Sequence, residues 1–190
     1  MSIDDVPGAN ERISSPWDER LDRASPLPEY PRPDMARPHA ERPEWLSLNG
    51  PWDYAILPSS AGPIAEERAP ARYDGAIVVP FAVETALSGV GRAFRPGETL
   101  WYRRAVSVPA EWASGRVMIR FEAVDYEAAV FADGRLLGTH RGGYLPFAFE
   151  LPAARMNGDA ASMGAAGATG ATSAEVEIVG VTKTHGPDVV

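Results

Sequence analysis

The sequence predicts an all-β protein built as a sandwich of antiparallel sheets. Short apolar runs with a period of two are bounded by glycine, proline and aspartate, as is typical of half-buried strands. No stretch carries the apolar periodicity of a long helix. The connections between the runs are long and irregular, which fits two packed sheets better than a simple meander.

The first three predicted strands are residues 52–57, 101–108 and 117–121. The first alternates large with small or polar side chains and stops at Pro58. In the second, Tyr102, Val106 and Val108 are expected to share one face. The tryptophans of these two strands, Trp52 and Trp101, are predicted to lie in the core, and Trp112 is predicted to be exposed.

A hairpin is predicted at Asp133-Gly134, which lies between AAVFA at 128–132 and RLLG at 135–138. This dipeptide accommodates the two positive φ angles that a two-residue type I′ turn requires. In the strand before the turn, Tyr126 is expected to share a face with every second residue up to position 132. The last two predicted strands are residues 147–151 and 175–181.

Composition divides the chain into a domain with flexible additions. Residues 1–25 are predicted to be a flexible arm, and the proline-spaced run continues to residue 44. The sandwich domain is placed at 26–182, with a flexible insert of small residues at about 153–174. Residues 183–190 are predicted to be a tail.

Charge and composition exclude several classes of partner. The formal net charge of -8 disfavours broad nucleic-acid binding, because phosphate backbones would be repelled. No apolar run approaches the ~18 residues of a membrane helix, so no membrane partner is expected. The chain has no cysteine, which removes disulfides and thiolate chemistry. The polar, acidic opening lacks the features of a secretory signal, so a cytoplasmic location is expected.

The segment His140–Phe147, HRGGYLPF, is the candidate functional loop. In the structural interpretation, Gly142 and Gly143 adopt backbone conformations that other residues avoid, and Pro146 ends the connection. In the functional interpretation, the loop contacts a ligand or a neighbouring domain. Both interpretations remain open at this point.

No catalytic, metal or cofactor site is predicted. The acidic residues that are close in sequence border a strand or a turn, where backbone reasons explain them: Glu122, Asp125, Glu127 and Asp133. The three histidines, His39, His140 and His185, do not have a recognisable metal-ligand spacing. We therefore expect no hydrolytic carboxylate pair, no metal and no cofactor in this chain.

Several separate motifs, in order over residues 26–151, resemble the N-terminal sugar-binding domain of glycoside hydrolase family 2, the family of β-galactosidase and β-glucuronidase. The first is PEWLSLNGPWDYAI at 43–56, and the second is VPFAVE followed by LSGVG at 79–91. LWYRRAVSVP and RFEAVDYEAAVFADGRLLGTHRGGYLPFAFEL then match the family's Tyr-Arg-Arg strand, its "vdGrlvG" hairpin and its "HxGGYxPF" loop.

This resemblance implies a jelly-roll, galactose-binding-like sandwich whose parent enzyme carries both catalytic glutamates on a separate (β/α)₈ barrel. A barrel alone needs about 250 residues, so the chain is expected to lack the catalytic machinery and to be a fragment or truncated gene product. The resemblance also implies that His140, Arg141, Gly142, Gly143 and Tyr144 face the sugar or the barrel. In some β-galactosidases of the family an acidic residue of this loop reaches the substrate, and alignment through Leu145-Pro146 places Gly142 at that position. The resemblance therefore implies that a sugar contact here would come from Arg141, His140 or Tyr144 instead.

Three functions remain open at this level. The first is a non-catalytic accessory domain of a family 2 glycosidase, which hydrolyses O-glycosyl bonds. The second is a free-standing carbohydrate-binding module, and the third is a structural interaction domain. The expected partners are a β-glycoside and the catalytic barrel, with weak self-association through the uncovered loop.

Overall fold

The structure, a computed structural model, describes residues 15–16, 19–26, 44–60, 62–112, 115–152 and 172–181. Within these ranges the chain forms strands and two short 3-10 helices, Ile64–Glu66 and Ala110–Trp112. The strands are β1 Gly50–Pro58, β2 Gly75–Val79, β3 Glu98–Val108, β4 Met118–Phe121, β5 Glu127–Ala132, β6 Arg135–Arg141, β7 Phe147–Glu150 and β8 Thr172–Val181. The all-β prediction is confirmed.

The strands form antiparallel sheets, as predicted. The larger sheet has the order β2-β1-β3-β8-β5-β6, and the smaller sheet pairs β4 with β7. Every strand of the predicted set is present, although β8 begins at Thr172, three residues before the predicted start at 175. The early start follows from pairing, because Thr172 lies opposite Val108 of β3. No helix in the described ranges is long and apolar enough to span a bilayer.

The chain divides into two compact units. The first contains the described parts of Met1–Tyr54 together with Asp74–Arg95, and the second contains those of Ala55–Tyr73 and Pro96–Val190. Strand β1 contributes its first half to one unit and its second half to the other.

The first unit is organised by the pairing of β1 with β2. Trp52 lies opposite Ile77 in this ladder, and both side chains are buried. The Trp52 indole donates a hydrogen bond of 2.8 Å to the carbonyl of Leu48, which satisfies its only polar atom. The prediction that Trp52 lies in the core is confirmed.

The core of the second unit surrounds Trp101, whose exposed fraction is 2%. Its ring stacks on Phe131 at a centroid distance of 6.2 Å. Ala55, Ile64 and Ala129 complete the buried cluster. Trp101 is therefore a core residue, as predicted.

The alternation predicted for β3 holds only in its second half. Val106 and Val108 are buried while the residues between and before them are exposed. In the first half both faces are covered, because Leu100 and Trp101 are consecutive and both buried. Tyr102, which was expected to share the buried face, is half-buried, and Trp112 is half-buried rather than exposed.

The predicted hairpin is confirmed at Asp133-Gly134. These residues have φ angles of 50° and 74°, and Ala132 pairs with Arg135 across them. Two positive φ angles in a two-residue loop define the type I′ geometry. The register then shifts between Val130 and Phe131, an irregularity that the sequence analysis did not predict. Tyr126, which was expected to share a face with Ala128 and Val130, precedes β5 and is exposed, whereas those two side chains are buried.

In the second unit the two sheets face each other across Gly138 and Phe149. Gly138 lies on β6 of the larger sheet, and Phe149 lies on β7 of the smaller one. The Phe149 ring occupies the space where a side chain at Gly138 would begin, with its Cδ1 and Cζ atoms 2.9 Å from that position. The absence of a side chain at Gly138 lets the two layers approach closely.

The boundaries predicted for the arm, the insert and the tail stay predictions. Residues 1–14, 17–18 and 27–43 lie outside the described residues, as do 153–171 and 182–190. Of the predicted arm, the structure describes Ser15, Pro16 and residues 19–25.

Candidate functional site

The candidate loop connects two strands of different sheets. Strand β6 ends at Arg141 and β7 begins at Phe147, so residues 142–146 form the connection, here called the GGY loop. Gly142 has a φ of 134°, in the region where residues with a side chain are strained. Its N–H donates a 2.7 Å hydrogen bond to the carbonyl of Tyr126. The backbone reason for glycine at this position is therefore confirmed.

Gly143 does not have a positive φ, so the backbone conformation expected for both glycines is found only at Gly142. At Gly143 a side chain is excluded by the lack of space. A Cβ at this position would lie 2.7 Å from Oδ1 of Asp125 and 3.1 Å from its Cγ. The Asp125 side chain thus packs directly on the loop backbone. Together, Asp125 and Tyr126 hold the first two residues of the loop in place.

The His140 side chain lies at the base of the loop and packs on a neighbouring aromatic ring. Its imidazole stacks on the Phe147 ring at 4.1 Å with an interplanar angle of 13°. Its Nε2 atom is buried and has no hydrogen-bond partner among the described residues. Phe147 continues the stack to Phe121 at 4.9 Å. The sequence grouped His140 with the ligand-facing residues, but the geometry makes it part of the support beneath the loop.

The tip of the loop is exposed. Tyr144 has an exposed fraction of 95% and Leu145 of 69%. At the edge of the loop, the Arg141 guanidinium lies 5.4 Å from the centre of the Tyr126 ring, and the Tyr126 side chain is 41% exposed. The arrangement combines a base fixed by packing with a tip that offers an aromatic ring, a phenol hydroxyl and an aliphatic side chain.

The resemblance also singled out a second segment, residues 79–91, which the structure places in the first unit. Ser88 is fully buried and organises this segment. Its hydroxyl donates to the carbonyl of Thr85 at 2.8 Å and accepts the N–H of Val90 at 3.1 Å. Its carbonyl accepts the N–H of Val78 at 2.8 Å. The apolar side chains of Phe81, Leu87 and Val90 in this segment are half-buried, as is that of the nearby Phe94.

The acidic residues near the loop have structural partners. Glu122 forms a 2.9 Å ion pair with Arg120, and Asp133 occupies the hairpin turn. Glu127 begins β5 opposite Arg141. Within the described ranges, no three histidine or acidic side chains are placed so that they could hold a metal ion.

Three charged groups elsewhere in the second unit have displaced pKa values, and the hydrogen bond to Glu150 raises that of Arg116. A hydrogen bond from Arg116 holds the pKa of the exposed Glu150 carboxyl below its ordinary value of 4.5, and the opposite charge adds to this effect. The distance from Arg116 Nη2 to Glu150 Oε2 is 2.7 Å. Burial lowers the pKa of the Arg104 guanidinium on β3.

Sequence reasoning missed the contribution of Asp125 and Tyr126 to the loop. Both precede β5 and are joined by a cis peptide bond. No periodicity or turn rule connects them to glycines that follow the next strand. The available signal was indirect, since β5 and β6 form a two-residue hairpin and the residues flanking its open end must lie side by side.

Comparisons with known proteins bear on the family to which the chain belongs. The family model described as "Glycosyl hydrolases family 2, sugar binding domain" matches residues 45–163. The β-glucuronidase of Streptococcus agalactiae is 32% identical over 59 residues, which are 31% of this chain and 10% of that protein. The β-glucuronidase of Bacteroides fragilis is 27% identical over 113 residues, which are 60% of this chain and 15% of that protein. The matched regions thus span a small part of these relatives.

Among solved structures, a β-glucuronidase of Faecalibacterium prausnitzii aligns with a TM-score of 0.48 and 24% identity, covering 71% of this chain and 20% of that one. A Bifidobacterium dentium β-glucuronidase complexed with coumarin-3-O-glucuronide aligns with a TM-score of 0.47 and 26% identity, covering 70% of this chain and 19% of that one. The family match, which covers more than half of the chain, agrees with the motifs that the sequence analysis identified. The chain therefore belongs to glycosyl hydrolase family 2, and the matched region is its sugar-binding domain.

Proposed function

We propose that this chain is a non-catalytic accessory domain of a family 2 glycoside hydrolase and that the GGY loop docks on the catalytic domain. The observation that carries the proposal is the contrast within the loop. Gly142 and Gly143 are fixed by Tyr126 and Asp125, whereas Tyr144 is 95% exposed. A rigid base with an uncovered aromatic tip is what a docking element needs, since little ordering entropy is lost on contact.

The energy available at the tip is sufficient for a specific contact. Burying a side chain such as that of Leu145 contributes about 1.5–3 kcal/mol, and an aromatic ring such as that of Tyr144 contributes a similar or larger amount. Association entropy offsets much of this gain between separate molecules. The contact would therefore be strong within one assembly and weak between free domains.

The proposed role leaves hydrolysis to carboxylates outside the described residues. Retaining hydrolysis needs two carboxyl groups about 5–5.5 Å apart, one as acid/base and one as nucleophile. The acidic groups that surround the GGY loop are instead placed against Gly143, paired with Arg120 or held in a turn. The substrate of the assembly is proposed to be a β-glycoside, because the similar proteins include β-glucuronidases and β-galactosidases.

The test mixes the chain with the separately expressed catalytic domain of a family 2 β-glucuronidase and follows backbone amide shifts by NMR. We expect shifts concentrated at residues 141–147 and loss of binding in the double variant Tyr144→Ser with Leu145→Ser. Leu136→Ser is the matched control, because Leu136 is also an exposed leucine, at 41%, but lies at the hairpin end of β6. Binding that the double variant leaves unchanged would contradict the proposal.

The same samples test the catalytic part of the proposal and self-association. The chain alone should hydrolyse no nitrophenyl β-glycoside above background, and stoichiometric active-site titration would contradict this. Weak, concentration-dependent association in sedimentation is expected, and it should weaken in the same double variant because the same uncovered tip would be shared.

Direct sugar binding is the second candidate, favoured by the exposed rings of Tyr144 and Tyr126. Exposed aromatic faces can stack on sugar rings, and the guanidinium of Arg141 lies beside one of them. Titration calorimetry with glucuronate, galactose and mannose distinguishes this candidate from docking on protein. A sugar signal lost in Tyr144→Ser would assign the loop to a carbohydrate-binding module, and no signal would leave the docking role.

A further inference from the structure

The described residues of the predicted arm make a specific contact with the second segment of the first unit. Arg23 donates from Nη1 to the carbonyl of Leu87 at 2.7 Å and from Nη2 to the carbonyl of Ala86 at 3.2 Å. The two donors of one guanidinium therefore bind two consecutive carbonyls, more than 60 residues away in the chain. This fork geometry is specific to arginine, since a lysine ammonium acts as a single point charge.

The turn at residues 85–89, which accepts both hydrogen bonds, has a backbone geometry that suits the Arg23 contact. Gly89 donates its N–H to the Ala86 carbonyl at 3.0 Å, so the turn closes on the same oxygen that Arg23 binds. Gly89 has a φ of 84°, and a Cβ there would lie 3.4 Å from Arg23 Nη1. A side chain at Gly89 would therefore strain the backbone, and its Cβ would come into contact with the guanidinium.

The segment around Arg23, residues 22–26, has local structure of its own. Asp22 accepts the N–H of Ala24 at 3.0 Å, which fixes the backbone on both sides of Arg23. Pro26, three residues further on, is among the fully buried side chains. The segment therefore combines a buried proline with an arginine that binds two carbonyls.

We propose that residues 19–26 are a strap that holds the 85–89 turn of the first unit through Arg23. The family match begins at residue 45, so the strap would extend the folded domain to residues that lie before the matched region. The inference stands apart from the proposed function, since it requires neither a sugar nor a catalytic domain.

The strap stabilises the turn because Arg23 binds the carbonyls of Ala86 and Leu87. Opening of the 85–89 turn breaks the Gly89 to Ala86 hydrogen bond and disturbs the Ser88 contact to Val78 of β2. With Arg23 bound, opening must also break two charge-assisted hydrogen bonds. Because Arg23 is exposed and water competes for its donors, their loss should speed opening by about three- to tenfold.

The test is native-state amide hydrogen exchange on the full chain. In Arg23→Gln, exchange at the amides of Gly89 and Val78 should be about three- to tenfold faster than in the wild type. Arg23→Lys should show a smaller increase, because one ammonium keeps the charge without the fork.

The control is Arg68→Gln, which removes the same charge from an exposed arginine of the second unit. It should leave Gly89 and Val78 unchanged, and the amides of β5 should be unchanged in all variants. Exchange at Gly89 in Arg23→Gln that matches the wild type would overturn the strap. Equal acceleration at Gly89 and throughout β5 would overturn it as well, because the effect would then be global.

Discussion

Gly138→Ala tests the close approach of the two sheets in the second unit. Gly138 has no positive φ, so alanine meets no backbone strain, but its Cβ would run into the Phe149 ring. Two ring atoms would lie 2.9 Å from the new carbon and a third would be closer still. Overpacking of this kind costs typically about 1–3 kcal/mol. We expect about 2 kcal/mol of lost stability, or roughly 4–8 °C in Tm for a chain of this size.

The assay is urea unfolding followed by tryptophan fluorescence, which reports on Trp101 in the core of the same unit. Gly62→Ala is the matched control, because its Cβ would meet nothing closer than 3.6 Å. Phe149→Leu should be destabilising alone, yet it should recover part of the loss when combined with Gly138→Ala. Equal stability of Gly138→Ala and Gly62→Ala would refute the reasoning, as would strict additivity in the double variant.

Two further changes address the loop and the exposed ion pair. Gly143→Ala should lower the free energy of unfolding in urea by about 1 kcal/mol, because the new Cβ displaces Asp125. When Asp125→Ala is also present, most of that loss should disappear. An equal loss with and without Asp125→Ala would show that Asp125 does not occupy the space. In Arg116→Gln, the pKa of Glu150 should rise toward its ordinary value of 4.5 in an NMR titration. Because the pKa of Glu150 is lowered in the folded state, its stabilising contribution is present above the unfolded-state pKa and is lost as the pH falls through the folded-state pKa. An Arg116→Gln variant whose stability depends on acidic pH in the same way as that of the wild type would contradict this.

The parts of the fold that sequence predicted well depend on local chemistry. The Asp133-Gly134 turn follows from backbone preferences within two residues, and the structure shows the expected positive φ angles. The stop of β1 at Pro58 also matches, since proline cannot continue a hydrogen-bonded ladder. Gly142 was correctly interpreted as a backbone requirement.

The parts that sequence could not predict depend on contacts between distant segments. Asp125 against Gly143, Arg23 on the 85–89 turn and Phe149 on Gly138 each join residues with no common period. The double coverage of β3 at Leu100 and Trp101 arises from tertiary packing on both faces, which an alternation rule cannot anticipate. For the same reason His140 was grouped with the exposed tip, although its ring lies on Phe147.

The position of β8 in the sheet affects how this domain folds during its synthesis. In the second unit β8 lies between β3 and β5, and it pairs with both along most of its length. Its residues are synthesised after those of either neighbour, so a nascent chain that has not reached Thr172 presents two uncapped strand edges. Contacts of such large sequence separation also slow folding. The domain should therefore depend on its late strand for solubility during synthesis, and the interval before that strand is added is when intermolecular β-pairing is most favoured.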